Sequence, residues 1–359
     1  MKIVLFTEFF PRNDKYFTGG VEVRVRRLYE YLKKTKHDVA VVSRSEGYSF
    51  NSPLTAIQRI FFFFRWIAKI IFTRLPTVDV VEGTNFTTYI LAFIYAKKIK
   101  AKAIAWYPDV FLGKAIERLG FINGLLTEIS ERISVRLPWD KIIALSEETK
   151  KKLIEAGVDR RKIEVIYGGV DYNSYNAYSR YSKFKTPTII CISRLVKYKR
   201  IQDLILAVYL LKDTIPNTRL IVVGEGPEKD KLKVKSEKLK VKAEFFGRVS
   251  EEKKWELLSK SHIHVLPSAI EGFGLVTIEA LSVGTPVVNA DIPINKEVLN
   301  GSKGGLLYEL GDYVDLSEKL EELLTDQKLY DRKAEEGLEL VKKYDWDKVN
   351  KKYEHLLFN

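Results

Sequence analysis

A single cysteine, Cys191, stands in a chain of 359 residues. One thiol cannot form an intramolecular disulfide or build a cysteine-rich zinc cluster, so the apolar core has to hold the fold, as suits a reducing cytoplasm. Histidine is nearly as scarce, with four in all. His262 and His264 form an HxH in a strand-like segment, where alternate side chains share a face. A zinc site would need a third ligand that the sequence does not offer, so no metal is assigned. Paired Cys/His spacings and an RRM-like aromatic strand are both missing, and nucleic acid is not expected as the ligand. The opening MKIVLFTEFFP is too short in its apolar part for a secretory signal and reads as a first buried strand.

What is present is a large apolar fraction, 46%, and a formal net charge of +13. That length and hydrophobicity suffice for about two domains with real cores. The charge attracts phosphorylated ligands or anionic lipid. Strand-length apolar runs alternate with helical stretches: KIVLFT, DVAVVS, DVVEGT, KAIAWY and KIIALS, then, past a polar Tyr/Ser-rich connector, TIICIS, RLIVVGEG, AEFFGRV, HIHVLPS and TPVVNA. Alternation of this kind predicts parallel sheets covered by helices. The restart after the connector, residues 172–187, predicts an α/β chain of two doubly wound units.

The segment LTAIQRIFFFFRWIAKIIFTRL, residues 54–75, is the most apolar helix candidate, with Gln58, Arg65 and Lys69 on one narrow face. Arg65 and Lys69 argue against a membrane span, which needs about 20 nearly uncharged residues. Two readings stay open: a helix packed on the first sheet, or one lying in an anionic membrane surface.

Three places carry candidate chemistry. Gly19 and Gly20 follow the first strand and open a helix, where bare backbone N–H groups can meet a phosphate or sugar oxygen; a plain tight turn would use the same residues. SRLVKYK puts Arg194 just past a strand and Lys199 five residues on, a pair of cations able to clamp a diphosphate, or else a solvated basic loop. EGFGLVTIEALSVGTPVV reads as loop, helix and strand, with Glu271 in the loop and Glu279 in the helix. Gly272 and Gly274 allow helix-start amides to face an anion. Glu279, flanked by Ile278 and Ala280, asks for a partner of its own.

Together these segments resemble the retaining glycosyltransferases of family 4, the glycosyl transferases group 1, whose GT-B architecture sets two Rossmann-like doubly wound parallel-sheet domains around a central cleft. Glu271 and Glu279 look like that family's E-x7-E motif, and Arg194 and Lys199 look like its Arg-x4-Lys. GGVE, LIVVGEGPE, FFGRVS, HVLPS and the late YDWDKVNKKYEHL stand in the expected order. The resemblance implies an acceptor-binding domain over 1–175, rejoined by a terminal helix over 345–359, and a nucleotide-sugar-binding domain over 186–344. It implies that Arg194 and Lys199 bind the donor diphosphate, that Glu271 meets the transferred sugar and Glu279 the ribose, and that Phe273, Gly274 and Leu275 present amides. Gly20 would approach the phosphates and Val249 would lie near the base. Where the family often has a histidine, this chain reads Tyr107, Pro108, Asp109, and Asp109 becomes the candidate sugar or acceptor ligand. Arg200 and Gly168 also depart from the pattern, standing where glycine and asparagine are usual.

The implied activity is metal-independent transfer of a hexose from a UDP- or GDP-linked sugar, the nucleotide sugar serving as co-substrate with no further cofactor. The charge and the aromatic helix suggest a glycan or lipid-linked acceptor at the inner, cytoplasmic face of a membrane. Two rival readings are an epimerase or hydrolase acting on the nucleotide sugar alone and a membrane-surface binding protein without turnover.

Overall fold

The computed structural model describes residues 1–10, 19–43, 76–116, 120–172 and 181–358, together with 61, 64, 65, 67, 68, 72 and 178. The chain forms two compact units, Met1–Gly168 with Val349–Asn359, and Gly169–Lys348.

The first unit carries strands β1 (Lys2–Thr7), β2 (Asp38–Ser43), β3 (Val80–Gly83), β4 (Lys102–Tyr107), β5 (Lys141–Ala144) and β6 (Ile163–Val165). They pair in parallel in the order β2-β1-β3-β4-β5-β6. Its helices among the described residues include α1 (Gly20–Lys34), α2 (Tyr89–Ile99), α3 (Phe121–Ser134) and α4 (Glu147–Glu155).

The second unit repeats the plan with β7 (Thr188–Ile192), β8 (Arg219–Val223), β9 (Lys242–Gly247), β10 (Ile263–Leu266), β11 (Val287–Ala290) and β12 (Gly305–Tyr308), in the order β12-β11-β10-β7-β8-β9. Around it lie α5 (Ile201–Leu210), α6 (Lys229–Lys238), α7 (Glu251–Lys260), α8 (Leu275–Ser282), α9 (Pro293–Val298), α10 (Tyr313–Thr325) and α11 (Gln327–Val341). The last helix, α12 (Trp346–Phe358), begins in the second unit and ends in the first.

Ten of these strands coincide with the apolar runs read from the sequence. The two that the pattern did not mark, β6 and β12, are edge strands of three and four residues. An edge strand buries less, so it needs no continuous apolar run. The central strands do: β3, β5, β10 and β11 are buried along all or nearly all their length. In each sheet the strand order reverses once, between β1 and β3 and between β7 and β10. In open α/β sheets the loops at the carboxyl ends of such a pair form the ligand-binding crevice.

The candidate helix over 54–75 lies mostly outside the described residues. Of those described, Ile67 packs against the first core, whereas Phe61, Phe64 and Phe72 are exposed. No helix among the described residues is long and apolar enough to cross a membrane.

One buried charge pair organises the first unit. Glu82 sits in β3 with no solvent exposure, and Arg24 of α1 donates to both of its carboxylate oxygens, Nη2 to Oε2 at 3.2 Å. The guanidinium also stacks over Trp106 of β4 at 4.6 Å and over Tyr353 of α12 at 5.3 Å. Trp106 is thereby a buried packing residue. The end of α12 is further tied to α1 by Tyr31, whose hydroxyl donates to Glu354 at 2.8 Å. Removing one member of a buried pair strands the other charge, at a cost of about 3–5 kcal/mol. Arg24→Met should therefore lower unfolding stability by that order in urea titrations, and the double change Arg24→Met/Glu82→Leu should recover much of it; an unshifted midpoint for the single variant would contradict this account.

Candidate active site

Arg194 and Lys199 lie on the loop after β7, and Glu271 on the loop after β10, the two strands at the order reversal of the second sheet. The β7 loop is held by main-chain bonds. Ser193 N–H donates to Val223 O at 3.0 Å, Leu195 N–H to Glu225 O at 2.9 Å, and Glu228 N–H to Leu195 O at 3.0 Å. Gly224 makes this approach feasible: its φ is +135°, and a Cβ there would fall 1.9 Å from the Ser193 carbonyl oxygen. Across the other side, Ala269 N–H donates to Tyr198 O at 2.9 Å and joins the β7 and β10 loops.

The join brings Lys199 against Glu271, and the buried ammonium donates to Glu271 Oε1. Arg194 is exposed, and its Nη2 donates to the Tyr198 hydroxyl at 2.6 Å. Arg200, where the family usually has glycine, adopts a left-handed φ of +50°. That conformation explains the family preference, and here an ion pair to Asp203 at 2.6 Å accompanies the arginine.

Next comes the helix start. Gly274 is the N-cap of α8 at φ +79°, and no side chain caps it. The first N–H groups of a helix have no partner within it, and the helix dipole is positive there, so Gly274 and Leu275 offer an anion-binding end. Phe273 is buried and packs edge-on against Tyr344 at 5.5 Å, so its ring anchors the loop while its main chain stays at the helix start.

Glu279, one turn further along α8, is buried, and its partner is Lys254 of α7, 2.8 Å from Oε1. Lys254 also reaches Glu251 at 2.7 Å. Burial works against the Lys254 ammonium, but the carboxylates of Glu279 and Glu251 outweigh it and raise its pKa. Glu279 Oε2 is buried and has no hydrogen-bond partner among the described residues, so one acceptor of the carboxylate is left unmatched. Sequence reasoning missed Lys254; the unanswered carboxylate within an apolar helix was the only signal of it. Val249, half-buried, occupies the turn between β9 and α7, whose cap is Ser250, accepting from Lys253 N–H at 3.2 Å.

The remaining candidates belong to the first unit. Gly19 is the extended N-cap of α1, which Gly20 begins, again without a side-chain cap. Asp109 follows β4 and is buried; its Oδ1 accepts from Lys152 Nζ of α4 and from Val110 N–H, both at 2.8 Å. Any ligand there meets a lysine and carboxylate together. Tyr107 is fully buried, its hydroxyl 2.5 Å from Ser134 Oγ, and so is a core residue.

This ordered geometry matches known proteins. Residues 18–174 match the family described as Glycosyltransferase Family 4, and residues 179–339 the family described as Glycosyl transferases group 1. The chain belongs to glycosyltransferase family 4. Among curated relatives it is 28% identical over 265 residues to a glycogen synthase of Mycobacterium tuberculosis, covering 69% of this chain and 63% of that one. It is 32% identical over 134 residues to a phosphatidyl-myo-inositol mannosyltransferase of Mycobacterium leprae, covering 37% and 36%. This family 4 chain thus spans under two thirds of the length of those relatives. Among solved structures it superposes on Anabaena HepE in complex with UDP and glucose with a TM-score of 0.76, at 18% identity and 99% coverage of both chains. The fold is GT-B.

The histidines resolve differently from a metal pair. His262 Nδ1 accepts from Thr188 N–H at 3.1 Å, and His264, in β10, is wholly buried with neither ring nitrogen bonded among the described residues. Among the described residues no three His, Cys, Asp or Glu side chains cluster as metal ligands.

Burial lowers the His264 pKa to about 3. The native ring therefore stays neutral where an unfolded ring, with a pKa of about 6.5, takes up a proton, so stability should be complete above pH 6.5 and fall as pH drops toward 3, by up to about 5 kcal/mol. Urea midpoints against pH should show this slope, and His264→Leu should flatten it. For the α7–α8 pair, Lys254→Met should depress the melting temperature by stranding Glu279, and adding Glu279→Gln should restore part of the loss; a double variant as unstable as the sum of both changes would refute the pairing.

Proposed function

We propose that this family 4 chain is a retaining hexosyltransferase that moves a sugar from a UDP- or GDP-linked donor onto a lipid-linked or membrane-proximal glycan acceptor, working at the inner face of the membrane. The observation that carries the reading is the meeting of Lys199 and Glu271 at the order reversal of the second sheet, with Arg194 on the same loop and an uncapped helix start beside Glu271. Cations and amides so placed suit a diphosphate, and a carboxylate beside them suits sugar hydroxyls. The UDP and glucose in the HepE complex support the donor class. The relative named for phosphatidyl-myo-inositol supports a lipid-linked acceptor.

In the transfer, the bond between the anomeric carbon and the diphosphate oxygen breaks, leaving positive charge on the sugar and negative charge on the leaving group. Arg194, Lys199 and the amides at the start of α8 stabilise the second charge, the larger electrostatic task. The acceptor oxygen attacks from the face that the diphosphate leaves, forms the new bond to the anomeric carbon, and passes its proton to a phosphate oxygen. Glu271 orients the sugar and steadies the developing positive charge while paired to Lys199. Glu279 accepts ribose hydroxyls, its carboxylate held in place by Lys254. Asp109 with Lys152 offers a charge pair to the sugar or acceptor. The nucleotide sugar is the co-substrate, and the two cations supply the charge that a metal would otherwise bring.

A melting screen against UDP- and GDP-sugars should find a donor that raises the transition, since a ligand at about 100 times its Kd adds about 2.7 kcal/mol to the folded state. Arg194→Gln and Lys199→Met should each cut kcat by about 100- to 1,000-fold with the fold intact. Transfer at the parent rate in both variants would end the reading, and turnover of donor alone to an epimer would replace it.

A further inference from the structure

Helix α3 is inside out. The face that it turns to the protein carries Gly124, Thr127, Glu131 and Ser134, and each of these makes a close or polar contact. A Cβ on Gly124 would lie 2.3 Å from Ile116 Cα, so the helix backbone abuts that segment. Thr127 Oγ1 donates to Asn123 O at 2.8 Å, Glu131 Oε2 accepts from Phe111 N–H at 2.8 Å, and Ser134 Oγ meets the Tyr107 hydroxyl. The opposite face is apolar and open. Phe121 is 71% and Ile122 62% exposed, with Leu125 at 41%, Ile129 at 48% and Ile133 at 44%. Residues 121, 125, 129 and 133 follow one another at helical four-residue steps, so they form a continuous stripe. A helix on a water-facing surface has the reverse arrangement, and a stripe of this kind marks a contact with an apolar phase.

Charge selects the occupant. The first unit holds 31 Lys and Arg against 19 Asp and Glu, a net of +12, whereas the second holds 29 against 28, a net of +1. Nearly the whole excess belongs to the unit that carries the stripe. Lys114, Arg132 and Arg136, on α3 or close to it in sequence, are exposed, Arg132 while paired to Glu128 at 2.6 Å, and Phe61, Phe64 and Phe72 are exposed on the same unit. A second copy docking face to face would oppose two such units, which like-charge repulsion disfavours. An anionic bilayer accepts both features at once, the aliphatic groups at the acyl boundary and the cations among the headgroups.

We propose that the outward face of α3 seats this protein on an anionic lipid surface. The inference deepens, and rests on, the membrane-proximal acceptor of the proposed function. It assigns that role to a helix other than the aromatic segment 54–75.

The test is flotation of the full chain with vesicles of phosphatidylcholine with and without phosphatidylglycerol. The parent should float with the anionic vesicles, and about 1 M salt, which shortens the Debye length to about 3 Å, should erase the difference between the two compositions. The triple change Ile122→Ser/Leu125→Ser/Ile129→Ser should lower binding at least about tenfold, with circular dichroism and the donor-induced melting shift unaltered. The conservative triple Ile122→Val/Leu125→Met/Ile129→Val should still float. A parent that does not float, or a serine variant that floats as well as the parent, overturns the inference while leaving donor binding intact. A parent dimer that the serine variant dissolves without change in flotation also overturns it and gives the face to a second copy. Vesicle binding that depends on α3 in a protein whose melting no nucleotide sugar shifts upholds the surface and sinks the donor reading instead.

Discussion

Main-chain hydrogen bonds between three neighbouring loops carry the organisation of the second unit. The β7 loop has no secondary structure longer than the three-residue 3-10 turn Lys197–Lys199, yet Val223, Glu225 and Glu228 grip it on one side and Ala269 on the other. Those bonds fix the backbone that carries Arg194 and Lys199. They also account for Gly224, since a side chain there would collide with the carbonyl whose own amide is one of the bonded groups. A site held by backbone contacts tolerates change in its side chains, which is why Arg200 can stand in a glycine position without displacing Lys199 from Glu271.

Three buried carboxylates in the two units follow one rule. Glu82 has Arg24, Glu279 has Lys254, and Asp109 has Lys152. Burying an unpaired carboxylate is costly, and each of these three takes its cation from a different element. Each pair thus also fastens a helix to its sheet or to another helix: α1 to β3, α7 to α8, and α4 to the loop after β4. In the first unit the same guanidinium collects Trp106 and Tyr353, so the returning helix α12 and the central strands share one electrostatic anchor.

The two units differ in charge far more than in architecture. Both have six parallel strands and one reversal of order, but almost all of the positive excess lies in the first. A near-neutral second unit bearing the paired cations fits selective capture of a small anion, because local geometry rather than a diffuse field then decides what binds. A strongly basic first unit with an apolar helix face fits an extended anionic surface.

The sequence alone determined the fold class. Period-two and buried apolar runs separated by helical stretches admit few arrangements other than parallel sheets under helices, and the ten strands of the longest runs were legible from it. It also marked Arg194, Lys199, Glu271 and Glu279, since charges adjoining strand ends and glycine-opened helices stand out against an apolar background. Only tertiary structure decided which of those charges meet. Lys254 sits in EEKKWELLSK, where it is one charge among several, and nothing local distinguishes it until α7 packs on α8. Tertiary structure likewise decided which side of α3 faces out. FINGLLTEISERIS has an apolar period that by itself predicts the isoleucines inside. Phe111, Tyr107 and Ile116 instead meet its polar and glycine face, where the Phe111 N–H and the Tyr107 hydroxyl bond to Glu131 and Ser134 and the Gly124 backbone abuts Ile116.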